Sequence, residues 1–154
     1  MIQRKQTIYL LISVILTGTM FFIPLAKFVN TTGNYVLNLR GIYSTNATGA
    51  NSLEMGTYPL IILAGLATLI SIITIALYKK RVLQIRLCGI NTALLAGLTG
   101  FVFYFGHTIS KAIEATVSYE LCVVFPLIAL VLNILALIAI GKDEALIKSL
   151  NRIR

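Results

Sequence analysis

The chain has 154 residues, of which 58% are hydrophobic and 12% are charged, and its formal net charge is +8. Soluble domains are about 45–50% apolar and about 25% charged, so this composition excludes an ordinary soluble protein and indicates an integral membrane protein. Spans of about 20 residues each use most of the chain, which leaves no room for a separate soluble domain. Because the positive charges flank apolar runs, we expect membrane topology rather than nucleic-acid binding to explain them.

The first predicted element is a membrane helix over residues 7–26. No charged residue occurs between Lys5 and Lys27. A cleaved signal peptide is the alternative, but the apolar region of a signal peptide is about 7–15 residues long, and Pro24-Leu25-Ala26 is a poor cleavage site. Pro24 in the last turn favours a helix end over a kink.

An outer loop over residues 27–56 follows, rich in Asn, Thr, Gly and Ser and too long for a simple turn. Within it, the stretch 35–43 has β-branched and aromatic residues in partial alternation, which predicts a strand or hairpin. A second outer loop, 107–120, contains the stretch 115–119, which could add a strand to the first loop. We therefore expect a small β-hairpin or sheet built from both loops.

The second and third spans, 57–78 and 82–106, are joined by a basic hairpin. Lys and Arg near the end of a span resist translocation, so this hairpin is predicted to lie in the cytoplasm and to orient the helices on both sides of it. Its topology-determining residues are Lys79, Lys80, Arg81 and Arg86.

The third span carries small residues at every fourth position, namely Gly89, Ala93 and Gly97. Such a ridge is typical of a helix face in close contact with another helix. Packing within the chain is the favoured interpretation because three other helices are available. Homodimerisation through the same ridge is the alternative.

The fourth span, 121–141, contains Asn133, which lies at the depth of Asn91 in the third span. Counting about 1.5 Å per residue from the flanking basic residues places both about 14–15 Å from the same membrane edge. Ser13, Thr17 and Ser71 fall at similar depth, so we predict a polar layer across the helices. A hydrogen bond between Asn91 and Asn133 should contribute about 0.6–2 kcal/mol. A route for a solute or ion is the functional alternative, although no Lys or carboxylate lies deep in any span.

The tail, 142–154, has apolar residues at helical spacing and acidic residues before basic ones, which predicts a short amphipathic helix. It would lie on the cytoplasmic leaflet or bind a cytoplasmic partner. With both termini and the basic hairpin inside, ten of the thirteen Lys and Arg residues face the cytoplasm. The positive-inside rule thus favours four spans with both ends in the cytoplasm.

Few residues suggest a disulfide bond, a metal site or a catalytic site. Cys88 and Cys122 should approach opposite membrane faces, so we expect no disulfide bond between them. His107, Lys111 and Glu114 would share a helical face, but three mixed side chains do not form a metal site. With no paired carboxylates and no nucleophile beside a base, we expect neither an enzyme nor a cofactor.

The two ends of the chain carry a resemblance. The start, Met1-Ile2-Gln3-Arg4-x-Gln6, and the end, Lys142-Asp143-Glu144-x-Leu146-Ile147-Lys148-Ser149-Leu150-x-Arg152-Ile153-Arg154, resemble a family of small four-span bacterial membrane proteins of unknown function. The resemblance implies an all-α, four-helix transmembrane bundle in the inner membrane of a bacterium, and it supplies no functional residues.

From the residues we expect a structural or interaction component of the cytoplasmic membrane. The alternative is a small-solute transporter or channel accessory that uses the polar layer. The expected partners are the bilayer with its anionic cytoplasmic leaflet, and another membrane protein or a second copy of the chain.

Overall fold

The computed structural model describes residues 3–30, 33–45, 51–78 and 80–151. The fold is mostly helical and includes one small antiparallel sheet. The helices are α1 (Gln3–Thr19), α2 (Tyr58–Ala76), α3 (Arg81–Ala112) and α4 (Phe125–Asn151), with a 3-10 turn at Leu121–Val124 before α4. The strands are β1 (Ala26–Asn30), β2 (Gly33–Asn38), β3 (Gly41–Thr45), β4 (Asn51–Gly56) and β5 (Thr116–Tyr119).

Within the described part of the chain, three stretches of helix are long and apolar enough to cross a membrane: Tyr58–Ala76, Arg81–Ala112 and Leu121–Ile147. The apolar part of α1, Gln6–Thr19, is shorter. The helices pack side by side, with α1 against α2 and α4, and α3 against the same two neighbours. These features indicate a membrane protein.

The polarity of the helices is the reverse of that in a water-soluble protein. On α2, Ser71 and Thr74 are fully buried among the helices, whereas Ile62 and Leu69 are more than half exposed. In water, large aliphatic side chains would be inside and hydroxyl groups outside. Lipid reverses this preference, because an unpaired polar group in hydrocarbon costs several kcal/mol.

The sheet is built from both predicted loops, as expected. Its strand order is β4-β3-β2-β1-β5, and every neighbouring pair is antiparallel. The predicted hairpin consists of β2 and β3, joined by the two residues Leu39 and Arg40, and the predicted strand of the second loop is β5. β1 and β4 had not been predicted. We call the end of the helices that carries the sheet the sheet end.

An apolar core joins the sheet to the helices. Leu25, Ala26 and Phe28 are fully buried, and they pack in one cluster with Leu60 of α2 and Leu98 of α3. The sheet is therefore fixed on the helix ends. An ion pair from Lys27 to Glu120, 2.7 Å between Nζ and Oε1, adds a half-exposed contact between the two loops.

Within the first predicted span, 7–26, the helix does not reach the predicted end, because α1 ends at Thr19. The Thr19 hydroxyl donates to the Leu16 carbonyl at 2.8 Å, and the chain then turns through Phe21 and Phe22. Pro24 disfavours helix at the residue before it. Of the remaining residues of this apolar run, Met20, Leu25 and Ala26 are buried in the core beneath the sheet, whereas Phe22 and Ile23 are exposed.

The helix that contains the third predicted span, 82–106, continues beyond it to Ala112. It ends in a Schellman motif, in which the Ala115 N–H bonds the Ser110 carbonyl at 3.1 Å. Glu114 has the left-handed φ of 48° that this turn requires, which costs a residue with a Cβ about 1–2 kcal/mol. The turn directs the chain back into β5.

The predicted separate tail helix over 142–154 is also corrected. α4 runs without a break from Phe125 to Asn151, so the described part of the tail extends the fourth helix. Gly141 does not end it, because a helix that is already packed tolerates a single glycine at a cost of about 1 kcal/mol.

Candidate functional site

The polar layer is the candidate site that the sequence singles out, and its centre joins three helices. Ser71 of α2, Asn91 of α3 and Asn133 of α4 are all fully buried. Asn91 Nδ2 donates to Ser71 Oγ at 2.8 Å, and the same atom lies 3.4 Å from Asn133 Oδ1. The structure thus brings the two asparagines together, but the Ser71 contact is the shorter one.

Asn133 makes two further short contacts of the layer. Its Nδ2 donates to the Cys88 carbonyl and to Thr92 Oγ1, both at 2.8 Å. Sequence reasoning missed Thr92, although it follows Asn91 directly and lies one turn after Cys88. A threonine beside a buried amide is the signal that could have identified it.

The α1 residues form a second group. Thr68 of α2 donates to Thr17 Oγ1 at 3.1 Å, and Thr17 donates to the Ser13 carbonyl at 2.9 Å. Ser13 Oγ lies 3.5 Å from the Ala129 carbonyl of α4, which is the longest contact in the layer. All four helices are therefore linked by polar contacts, through two groups of side chains instead of the single layer expected.

One atom of the layer lacks a partner. Asn91 Oδ1 is buried and accepts no hydrogen bond from any residue that the structure describes. Rotating the Asn91 amide by 180° would place its oxygen against Asn133 Oδ1. In the observed orientation, Asn91 Nδ2 instead lies as a donor between two acceptors, Ser71 Oγ and Asn133 Oδ1. A buried acceptor without a donor costs about 1–3 kcal/mol.

The small-residue ridge of α3 does not pack within the chain, so the favoured interpretation is wrong. Gly89 and Ala93 are exposed, and a Cβ added at Gly89 or Gly97 would meet no atom within 4 Å. Asn91 must face protein because lipid cannot satisfy its amide. At 100° per residue, turning Asn91 inward turns Ala93 outward. The face of α3 that packs consists of Gln84, Cys88, Asn91, Leu95, Leu98, Val102, Gly106 and Ile109.

The basic hairpin lies at the end of the helices opposite the sheet. Lys80 is the N-cap of α3, Arg81 is its first residue, and Arg86 is exposed one turn later. Lys79 lies outside the described residues. At the same end, Gln6 Nε2 donates to Asp143 Oδ2, a link between α1 and α4 that sequence reasoning missed.

The described residues form no cluster of metal-ligating side chains. Within the described ranges, no three His, Cys, Asp or Glu side chains lie close enough to hold a metal ion. His107 and Lys111 are exposed on α3, but Glu114 lies beyond the end of that helix and does not share their face. Cys88 and Cys122 are both buried and free. The chemistry available to the layer is neutral hydrogen bonding by amides and hydroxyl groups.

A model of a protein family matches almost the whole chain. It is described as a domain of unknown function, DUF4293, and it covers residues 2–153. No curated protein matches the chain. The chain therefore belongs to the DUF4293 family, in agreement with the unknown-function family expected from its two ends.

Proposed function

We propose that this DUF4293 protein is a four-span component of the cytoplasmic membrane of a bacterium, with structural or interaction roles and no catalytic activity of its own. Both termini lie in the cytoplasm, and the sheet lies outside. It presents the sheet to a protein partner in or beside the membrane.

Charge distribution supports this orientation. Arg81, Arg86 and Lys142 lie at the end of the helices away from the sheet, whereas Lys27 and Arg40 lie at the sheet end. The positive-inside rule places the more basic end in the cytoplasm. α1 is about 25 Å long over its 17 residues. The apolar turn after Thr19 covers the remaining distance to the sheet end, so α1 can serve as the fourth span.

The observation that carries the proposal is that the buried polar side chains of the helices bond one another. Asn133 bonds Thr92 and the Cys88 carbonyl, and Asn91 bonds Ser71. Donors engaged in this way hold helices together and are not free to coordinate a passing solute. A structural role fits this arrangement better than transport does.

The sheet supplies the surface for a partner. β4 and β5 each have one neighbouring strand, so the sheet has two edges whose backbone groups can pair with a further strand. On β5 the side chains of Thr116, Ser118 and Tyr119 are exposed. Thr116 and Ser118 are small and polar, so this part of the edge strand accepts a partner strand without steric conflict.

Purification of the full chain from membranes in mild detergent tests the proposal. We expect a partner in fixed stoichiometry, and we expect Ser118→Lys to reduce its recovery several-fold, since a lysine on an edge strand opposes strand addition. Thr108→Lys is the control, because it adds the same charge to an exposed position of α3. A protein that purifies alone and transports solute in vesicles would contradict the proposal and favour the transporter alternative.

A further inference from the structure

A cavity of about 660 Å³ lies at the sheet end, between the end of α1, α2 and the turn that joins β2 to β3. One side of it is apolar and includes Gly18 and Phe21. The other side is polar and includes Asn38, Arg40 and Tyr43. A lining divided in this way suits an amphiphile, a ligand with an apolar body and a polar head.

The polar side of the cavity is rich in unused donors. Arg40 is exposed and makes no ion pair or hydrogen bond with any residue that the structure describes. The Asn38 amide and the Tyr43 hydroxyl likewise bond no described residue. A guanidinium group binds a phosphate with two parallel hydrogen bonds. These side chains therefore favour an anionic, phosphate-bearing head.

The depth of the cavity matches one leaflet of a bilayer. The Thr57 hydroxyl donates to the carbonyls of Asn38 and Leu39, at 3.3 and 3.2 Å, which fixes the turn at the first residues of α2. Thr68 also lines the cavity and lies eleven residues further along α2, about 16 Å deeper. The hydrocarbon core is about 30 Å thick, so the cavity extends to about its middle. This step rests on the proposed function, because it takes α2 as a membrane span.

We propose that this cavity binds one anionic phospholipid of the leaflet at the sheet end. Arg40 holds the phosphate, with Asn38 and Tyr43 as further donors. An acyl chain lies against Gly18 and Phe21 and runs toward the middle of the membrane. The bound lipid would connect the hairpin of the sheet to α1 and α2.

Two substitutions separate the parts of the site. Gly18→Leu fills the apolar side, and it does so without a clash at its Cβ, which would meet no atom within 4 Å. Arg40→Gln removes the positive charge, and Arg40→Lys keeps it. The matched controls are Gly141→Leu, at an equally open glycine of α4, and Lys111→Gln, at an exposed cation of α3 that does not line the cavity.

Native mass spectrometry of the full chain in detergent micelles measures the bound lipid. Phosphatidylglycerol is the probe, with phosphatidylcholine and glycerol 1-phosphate for comparison. We expect one phosphatidylglycerol per chain, bound about tenfold more tightly than phosphatidylcholine. Both lipids carry a phosphate, but the positive choline group of phosphatidylcholine offsets that charge beside Arg40. Arg40→Gln should abolish this preference, Arg40→Lys should retain part of it, and Gly18→Leu should weaken binding of both lipids. The two controls should bind as the parent chain does.

Unchanged lipid binding in both Gly18→Leu and Arg40→Gln would overturn the proposal. Binding of glycerol 1-phosphate as tight as that of the lipid would overturn it too, by showing a site for a free phosphate ester. A change in oligomeric mass on Gly18→Leu would assign the cavity to a second copy instead. If the chain bound lipid as predicted but purified without a protein partner, that result would count against the proposed function and not against the lipid site.

Discussion

Asn133 is the side chain on which the polar contacts between helices depend most. It gives two hydrogen bonds of 2.8 Å to α3, whereas its contact with Asn91 is 3.4 Å long. The strength of a hydrogen bond falls with distance, so the contacts to Cys88 and Thr92 should dominate. At the residue scale, the layer is anchored by Asn133 and extended to α2 by Asn91.

A double-mutant cycle measures the coupling between the two asparagines. We expect Asn133→Leu to lower the free energy of unfolding in detergent by about 1–3 kcal/mol, and Asn91→Leu to lower it less. The coupling energy should be about 0.6–1.7 kcal/mol, the range for hydrogen bonds between membrane helices. Strict additivity of the two losses would reject the pair.

Thr99→Val is the control for that cycle. Among the described residues, the Thr99 hydroxyl bonds only the Leu95 carbonyl of its own helix. Removing it should change the free energy of unfolding by less than about 0.5 kcal/mol, as for substitutions that break no contact between elements.

At the scale of the element, α3 has two glycine-bearing faces with opposite surroundings. Gly106 is buried, and a Cβ there would lie 2.8 Å from the Tyr119 hydroxyl oxygen of β5 and 2.9 Å from Cε1 of that ring. Gly97 lies on the outward face, with no atom within 4 Å of an added Cβ. Only the first glycine is required for packing within the chain.

The same substitution at both glycines should therefore have opposite effects on thermal stability, measured by circular dichroism in detergent. Gly106→Ala displaces the Tyr119 ring from its edge contact with Phe103, and we expect a loss of about 1–3 kcal/mol. Gly97→Ala gains helix propensity, worth up to about 1 kcal/mol. Tyr119→Phe should restore part of the stability of Gly106→Ala. If Gly97→Ala proved as harmful as Gly106→Ala, the outward face of α3 would have to be packed.

Helix type and the presence of a sheet were predictable, but helix ends and faces were not. Tyr35 to Tyr43 alternate as a strand does, and β2 and β3 form there. Leu25, Ala26 and Phe28 are as apolar as lipid-facing residues, so burial under a sheet could not be told from burial in a membrane. The packed face of α3 was predicted wrongly because the small-residue ridge was given more weight than Asn91. The amide of Asn91 must face protein, and this requirement turns the ridge outward.

At the scale of the whole molecule, the account depends on the direction in which each helix crosses the membrane. Three helical stretches have the length and composition of spans, and the apolar part of α1 is shorter. If α1 also crosses, the chain ends lie on one side and the sheet on the other. If it does not, the N-terminus lies on the side of the sheet.

Labelling single cysteines with a membrane-impermeant maleimide tests this claim most directly. The cysteines are placed before Met1, at Ser118 of β5 and at Ser149 of α4, in a chain whose buried Cys88 and Cys122 are replaced by Ala. We predict that intact cells label only Ser118→Cys and that lysed cells label all three. Labelling of the N-terminal cysteine in intact cells would contradict the four-span arrangement.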